Sequence, residues 1–178
     1  MKTVMTSMPT ALMNALGALL DFRLVDWTGL PPCLISDVAS LFGAALTASD
    51  SHLGHYPALR ETYSVAGSTA GGLVVYSRAH RVIAVETAEP PPVEAMKPLG
   101  DPDISKPPEF SLEDYSVRES LYFRRGLVLS VAEALTPDIT PTVKIARCRG
   151  IRPLAAAHEY GAEYYLALKN RLLFRSGN

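Results

Sequence analysis

The stretch Gly71-Gly72-Leu73-Val74-Val75-Tyr76-Ser77-Arg78-Ala79-His80-Arg81-Val82-Ile83-Ala84-Val85-Glu86-Thr87 constrains this chain more than any other. β-Branched and aromatic residues fill two runs, and one hydrophilic break, Ser77 to Arg81, separates them. That pattern predicts two strands joined by a short turn. Alternating residues then lay a two-sided ribbon into the middle of a layered molecule, where other elements must cover it.

The rest of the chain supplies that cover. Leu12, Leu16, Leu19 and Leu20 fall on one face of a helix that starts near Pro9, with Ser7 as its cap. Phe22 to Trp27 reads as a short strand, and Thr28 to Pro32 as a turn, because two prolines and a glycine continue neither ladder nor helix. Ser36 and Asp37 open a second helix carrying Val38, Leu41 and Phe42. Ala44 to Tyr56 reads as a loop, followed by a strand over Arg60 to Val65.

Tyr115 to Phe123 and Leu127 to Glu133 predict a second hairpin around Arg124-Arg125-Gly126. Thr142 to Cys148 predicts a strand, with a turn at Arg149-Gly150. The segment 153–174 admits two readings. Leu154, Ala157, Gly161, Tyr164, Leu168 and Leu172 fit one long helix. A short helix ended by Gly161, then a hairpin across Lys169-Asn170, is favoured because β-formers crowd both sides of that polar break. Leu73 to Ala88 and Leu121 to Ala134 echo one another weakly, which shared hairpin physics explains without a repeat.

The fold class expected is therefore α+β: an antiparallel sheet of roughly five to eight strands built from hairpins, with two or three helices on one face. A chain of 178 residues, 48% hydrophobic and 20% charged, fits a single domain spanning 1–178 and buries a core without staples. One subdomain boundary is conceivable at 88–109, where Pro90, Pro91, Pro92, Pro98, Pro102, Pro107 and Pro108 make half of the fourteen prolines. That segment is expected to be irregular.

A net charge of −1 offers no general attraction to nucleic acid or anionic membrane. No run of eighteen apolar residues is present to cross a bilayer. Polar residues interrupt the apolar part of Met1 to Leu20, which reads as a helix and not an export signal. Cys33 and Cys148 sit far apart in apolar contexts; two buried thiols in a reducing, cytoplasmic compartment are the favoured reading, and a single long-range disulfide is the alternative.

Candidate chemistry is sparse. Asp50, His52 and His55 have ligand atoms, and His80 or His158 could complete a metal set, but a loop without a zinc signature predicts no metal. Gly67 to Gly72 precedes a strand, the wrong order for a phosphate cradle, and no other cofactor motif is present. No nucleophile elbow occurs, and Cys33 lacks a helix N-terminus to activate it. Arg124, Arg125, Arg147 and Arg149, with Lys144 and Arg152, form a basic region too sparse for nucleic acid but suited to an acidic partner protein. Trp27 and Tyr56 are candidate interface aromatics beside His52 and His55.

Leu30 to Gly43, a turn and capped helix ending in Val-x-x-Leu-Phe-Gly, is followed by Leu53-Gly54, Tyr63 and the central hairpin. This order over residues 30–88 resembles the helix-then-antiparallel-strand unit of bacterial binding modules, namely the β-lactamase inhibitor protein family and the small lipoproteins of outer-membrane assembly. The chain departs from them in carrying neither a lipoprotein signal nor a disulfide framework. The resemblance implies a protein-binding sheet surface and no catalysis. The function expected is a non-enzymatic interaction module: an inhibitor, an immunity-type protein or an assembly factor. The alternative is a small enzyme or ligand-binding domain with a pocket beside residues 50–56.

Overall fold

The computed structural model describes residues 8–23, 27, 32–53, 55–68, 71–89, 91–106, 109–112, 115–134 and 145–175. Its strands are β1 (Thr47–Leu53), β2 (Tyr56–Ser64), β3 (Gly72–Arg78), β4 (Arg81–Thr87), β5 (Ile104–Ser105), β6 (Glu109–Leu112), β7 (Tyr115–Tyr122), β8 (Leu127–Ala134) and β9 (Ile145–Ile151). They form one nine-stranded sheet in the order β1-β2-β3-β4-β9-β8-β7-β5, with β6 also on β7, and every pairing is antiparallel. The helices are α1 (Met8–Leu20), α2 (Ile35–Phe42), α3 (Val93–Met96) and α4 (Pro153–Arg175).

The expected central ribbon is β3 and β4, and both are buried along almost their whole length. Ala79 and His80 make the turn, both at positive φ (47° and 62°). A two-residue turn with two left-handed residues matches the twist of the flanking strands, but without glycine it costs on the order of 1–2 kcal/mol per residue. Backbone contacts hold it. Ile35 N–H donates to the His80 carbonyl at 2.9 Å, and Val82 N–H donates to the Cys33 carbonyl at 2.9 Å. Tyr76 pairs with Ala84 and Ser77 with Val82, which leaves Ile83 as a bulge whose carbonyl takes the Arg152 N–H.

Successive residues of the ribbon feed opposite sides. Leu73, Val75, Val82 and Val85 join Tyr63, Leu127 and Leu129 on the side covered by Leu12, Leu16 and Leu19 of α1, Val38 of α2, and Trp27. Ala95 and Met96 of α3 pack on this cluster too, so three helices share this face, whereas the expected one-sided cover is corrected by α4 on the other. Val74, Tyr76 and Ala84 join Leu121, Val128 and Ile151 on the other side, under Ala155, Ala156 and Tyr160 of α4. Burying each large aliphatic side chain contributes about 1.5–3 kcal/mol, so both layers matter to stability.

Several expectations are corrected. Residues 47–53 form β1 instead of a loop, and the seven pairs from Thr47↔Thr62 to Leu53↔Tyr56 set it on β2. Phe22 and Arg23 are not a strand: they wrap the end of α1, with Arg23 N–H on the Ala18 carbonyl at 2.6 Å and Phe22 at φ 56°. Residues 24–26 of that expected strand lie outside the described residues. Arg149 and Gly150 do not turn; they continue β9. The proline-rich segment 88–109 contains α3, a 3-10 turn at Lys97–Leu99 and β5, and the sheet runs unbroken from β4 to β9 beneath this crossover.

The favoured helix-plus-hairpin reading of 153–174 is overturned as well. Helix α4 runs through Arg175, with a break at Gly161 (φ 43°, ψ −107°). Tyr160 and Tyr164, on either side of that break, both reach the Phe123 ring, at centroid distances of 5.6 and 5.2 Å. In an extended strand, residues four apart are separated by roughly 13 Å, too far to share one ring.

Candidate functional site

The outer end of the sheet carries an open groove of about 550 Å³. Its floor follows from register. Asp50, Leu59 and Ser77 are opposite one another across β1, β2 and β3, and His52 faces Pro57 in the neighbouring row. These rows share a side with Tyr63 and Leu73, the side of α1 and α2. Arg78, Ala79 and His80 at the tip of the central hairpin close one end. Leu59 remains 37% exposed there, and Leu46, just before β1, is 67% exposed. Polar groups of both signs thus rim an apolar floor of Pro57 and Leu59.

Of the residues singled out in the sequence, His52 lines this groove, and His55 is exposed in the β1–β2 turn. Tyr56 is half-buried nearby, stacked on His158 of α4 at 4.3 Å and 7°, with the Arg78 guanidinium 4.3 Å from its ring centre. Stacking of this kind anchors the start of α4 to the hairpin tips, and uses His158 as a packing ring.

The other candidates lie elsewhere. Trp27 is fully buried on β9, where a Cβ at Gly150 would collide with the indole, and Arg152 lies 5.7 Å from its ring. Arg124 and Arg125, in the 3-10 turn that connects β7 to β8, wall a recess of about 200 Å³ with Leu99, Asp101 and Asp103, and Arg124 is paired with Asp103. Arg147 pairs through its backbone with Ser130, and its side chain is outside the described residues.

Arg149 is a buried clasp. Its Nε and Nη2 donate to Glu86 Oε2 on β4 at 3.3 and 3.2 Å, and Nη1 donates to Glu159 Oε1 on α4 at 2.7 Å. Burial pushes the Glu159 carboxyl above its usual range despite the arginine, and its Oε2 has no hydrogen-bond partner among the described residues. Tyr160, beside it, is pushed far up by burial and by the Glu159 charge, and its hydroxyl donates to Glu119 at 3.5 Å. Ser130 also donates to Glu119 at 3.1 Å, and Lys106 bridges Glu119 and Glu163. This network ties α4 to the sheet.

Cys33 is a free, buried thiol raised by that burial, with Arg152 Nη2 at 3.6 Å. A thiol so placed is a poor nucleophile. Among the described residues, no three His, Cys, Asp or Glu side chains converge to hold a metal. No described helix is long and apolar enough to cross a membrane.

No protein-family model, curated protein or solved structure matches this chain.

Sequence reading joins Asp50, His52 and His80 only as possible metal ligands, and it misses Leu59 and Arg78 beside them. Their signal is periodicity two: once 47–53 is paired with 56–64, Asp50, His52, Pro57 and Leu59 must share a side.

Proposed function

We propose that this protein is a non-enzymatic interaction module that docks a partner protein on the outer face of its sheet. The observation that carries the reading is the groove over β1, β2 and β3, which α1 and α2 leave bare although they cover the inner part of the same side. Apolar floor, mixed polar rim and exposed Leu46 and Leu59 are the composition of a docking surface. The order α2-β1-β2-β3-β4 agrees with the helix-then-strand likeness to inhibitor and assembly modules, which would use such a surface. The reducing cytoplasm remains the compartment we assign, on the free thiol of Cys33.

A second reading, a small-ligand site in the same groove, draws on its volume, which is of ligand size, and on His52 and His80 in its wall. One experiment separates them. The purified wild type should retain one partner at fixed stoichiometry, and Leu59→Glu should weaken that retention at least tenfold while the circular dichroism stays unchanged. Saturable binding or turnover of a small molecule that Leu59→Glu abolishes, with no protein retained, would select the second reading.

A further inference from the structure

We propose that β1 pairs with β1 of a second copy of this chain, antiparallel, across a two-fold axis at Ser51. The two ends of the sheet differ in a way that points there. At the far end, β7 is met by two short strands, β5 of two residues and β6 of four with a register shift, and Pro107 and Pro108 lie between them in sequence. Such an end is blunted against further pairing. Strand β1 has none of these devices. Its seven pairs with β2 run without a shift, and Thr47–Leu53 contains no proline and no lysine.

The charges choose the occupant and the register. Asp50 and His52 are the ionisable residues of β1, and two residues apart they project from the same side. An antiparallel copy centred on Ser51 sets Asp50 opposite His52 twice, with Ser49 opposite Leu53. Centring on Asp50 would oppose two carboxylates, and a parallel in-register copy would do the same; like charges directly opposite destabilise a strand pair. The Ser51 register also brings exposed Leu46 toward the β1–β2 turn of the second copy, giving it apolar cover. Asp50, Ser51 and His52 form the outer rim of the groove, so the two grooves would meet at the axis in one trough. The pairing does not depend on what fills that trough.

A contact this short belongs to the weak class of interfaces. Sedimentation equilibrium from about 10 μM to about 1 mM should therefore show a shift from monomer to dimer mass. Asp50→His places imidazole against imidazole, and His52→Asp places carboxylate against carboxylate. Each should weaken the dimer at least tenfold. The exchanged pair, Asp50→His with His52→Asp, should restore it, because the same two contacts re-form with the residues swapped. Monomer mass throughout the range overturns the proposal, as does a dimer that neither single variant weakens. Arg78→Glu reverses a charge at the hairpin-tip end of the groove, away from β1, and should leave the dimer mass intact, which keeps the two readings apart.

Discussion

Glu159 shows how one buried carboxyl can set a pH dependence. Its folded-state pKa lies above the ordinary value, chiefly because burial disfavours its charge. The folded chain then binds the proton more tightly than the unfolded chain. The stabilisation this confers is complete below the unfolded pKa of about 4.3 and is lost as pH rises through the raised folded value. Glu159→Gln keeps the shape of the protonated acid and cannot ionise. Urea denaturation should show the stability of Glu159→Gln relative to wild type increasing from about pH 4 to about pH 7. A difference that stays flat or reverses across that window would show that the pairing with Arg149 outweighs burial. Sequence reading could mark Arg149 as charged but could not pair it, since Glu86 and Glu159 reach it from two other elements. Trp27 illustrates the same limit: composition offers an indole as an interface anchor, and only the close seat at Gly150 reveals it as core.

Among elements, α4 and β1 explain what was legible and what was not. The ribbon β3–β4 announces itself because local propensity, apolar pattern and turn position agree. Strand β1 does not, because Thr-Ala-Ser-Asp-Ser-His-Leu lacks a β-former run, and its strand geometry comes from pairing with β2. The C-terminal segment misleads in the opposite sense: Tyr164, Tyr165 and Leu166 have strand propensity, yet ring contacts to Phe123 favour the helix. Phe123 is therefore the anchor of α4 beyond its first turns. Phe123→Ala should destabilise the fold by about 3–5 kcal/mol and lower the helical circular dichroism before global unfolding. Loss of stability with the helical signal intact until the main transition would place the anchor elsewhere.

Seen whole, the sheet is two up-and-down ribbons, β1 to β4 and β7 to β9, joined where β4 meets β9. The join has the register pairs Ala84↔Ile151, Val85↔Gly150 and Glu86↔Arg149, with the Arg149 clasp beside them. This layout does not explain the weak echo between 73–88 and 121–134. It aligns β3–β4 with β7–β8, whereas the ribbon order relates β3–β4 to β8–β9, so hairpin chemistry and not the architecture produces the likeness. Arg149→Met removes the guanidinium from between two buried carboxylates and should cost about 3–5 kcal/mol. Native-state hydrogen exchange should register the loss first at β4 and β9, while β1–β2 and β7–β8 amides keep their order of protection. Uniform loss across the sheet would mean that the two ribbons open together.

The join also has a consequence in time. Glu86 and Arg149 are 63 residues apart, so a nascent chain completes β4 well before it makes β9. At roughly 5–20 residues per second, that interval lasts about 3–13 s. Throughout it, the inner edge of a strand almost wholly apolar from Val82 to Val85 is bare, and any other extended segment within reach can take the place of the missing neighbour. Yield during biosynthesis should thus depend on translation speed across the proline-rich crossover, and on holdase chaperones that shield that edge until its neighbour arrives.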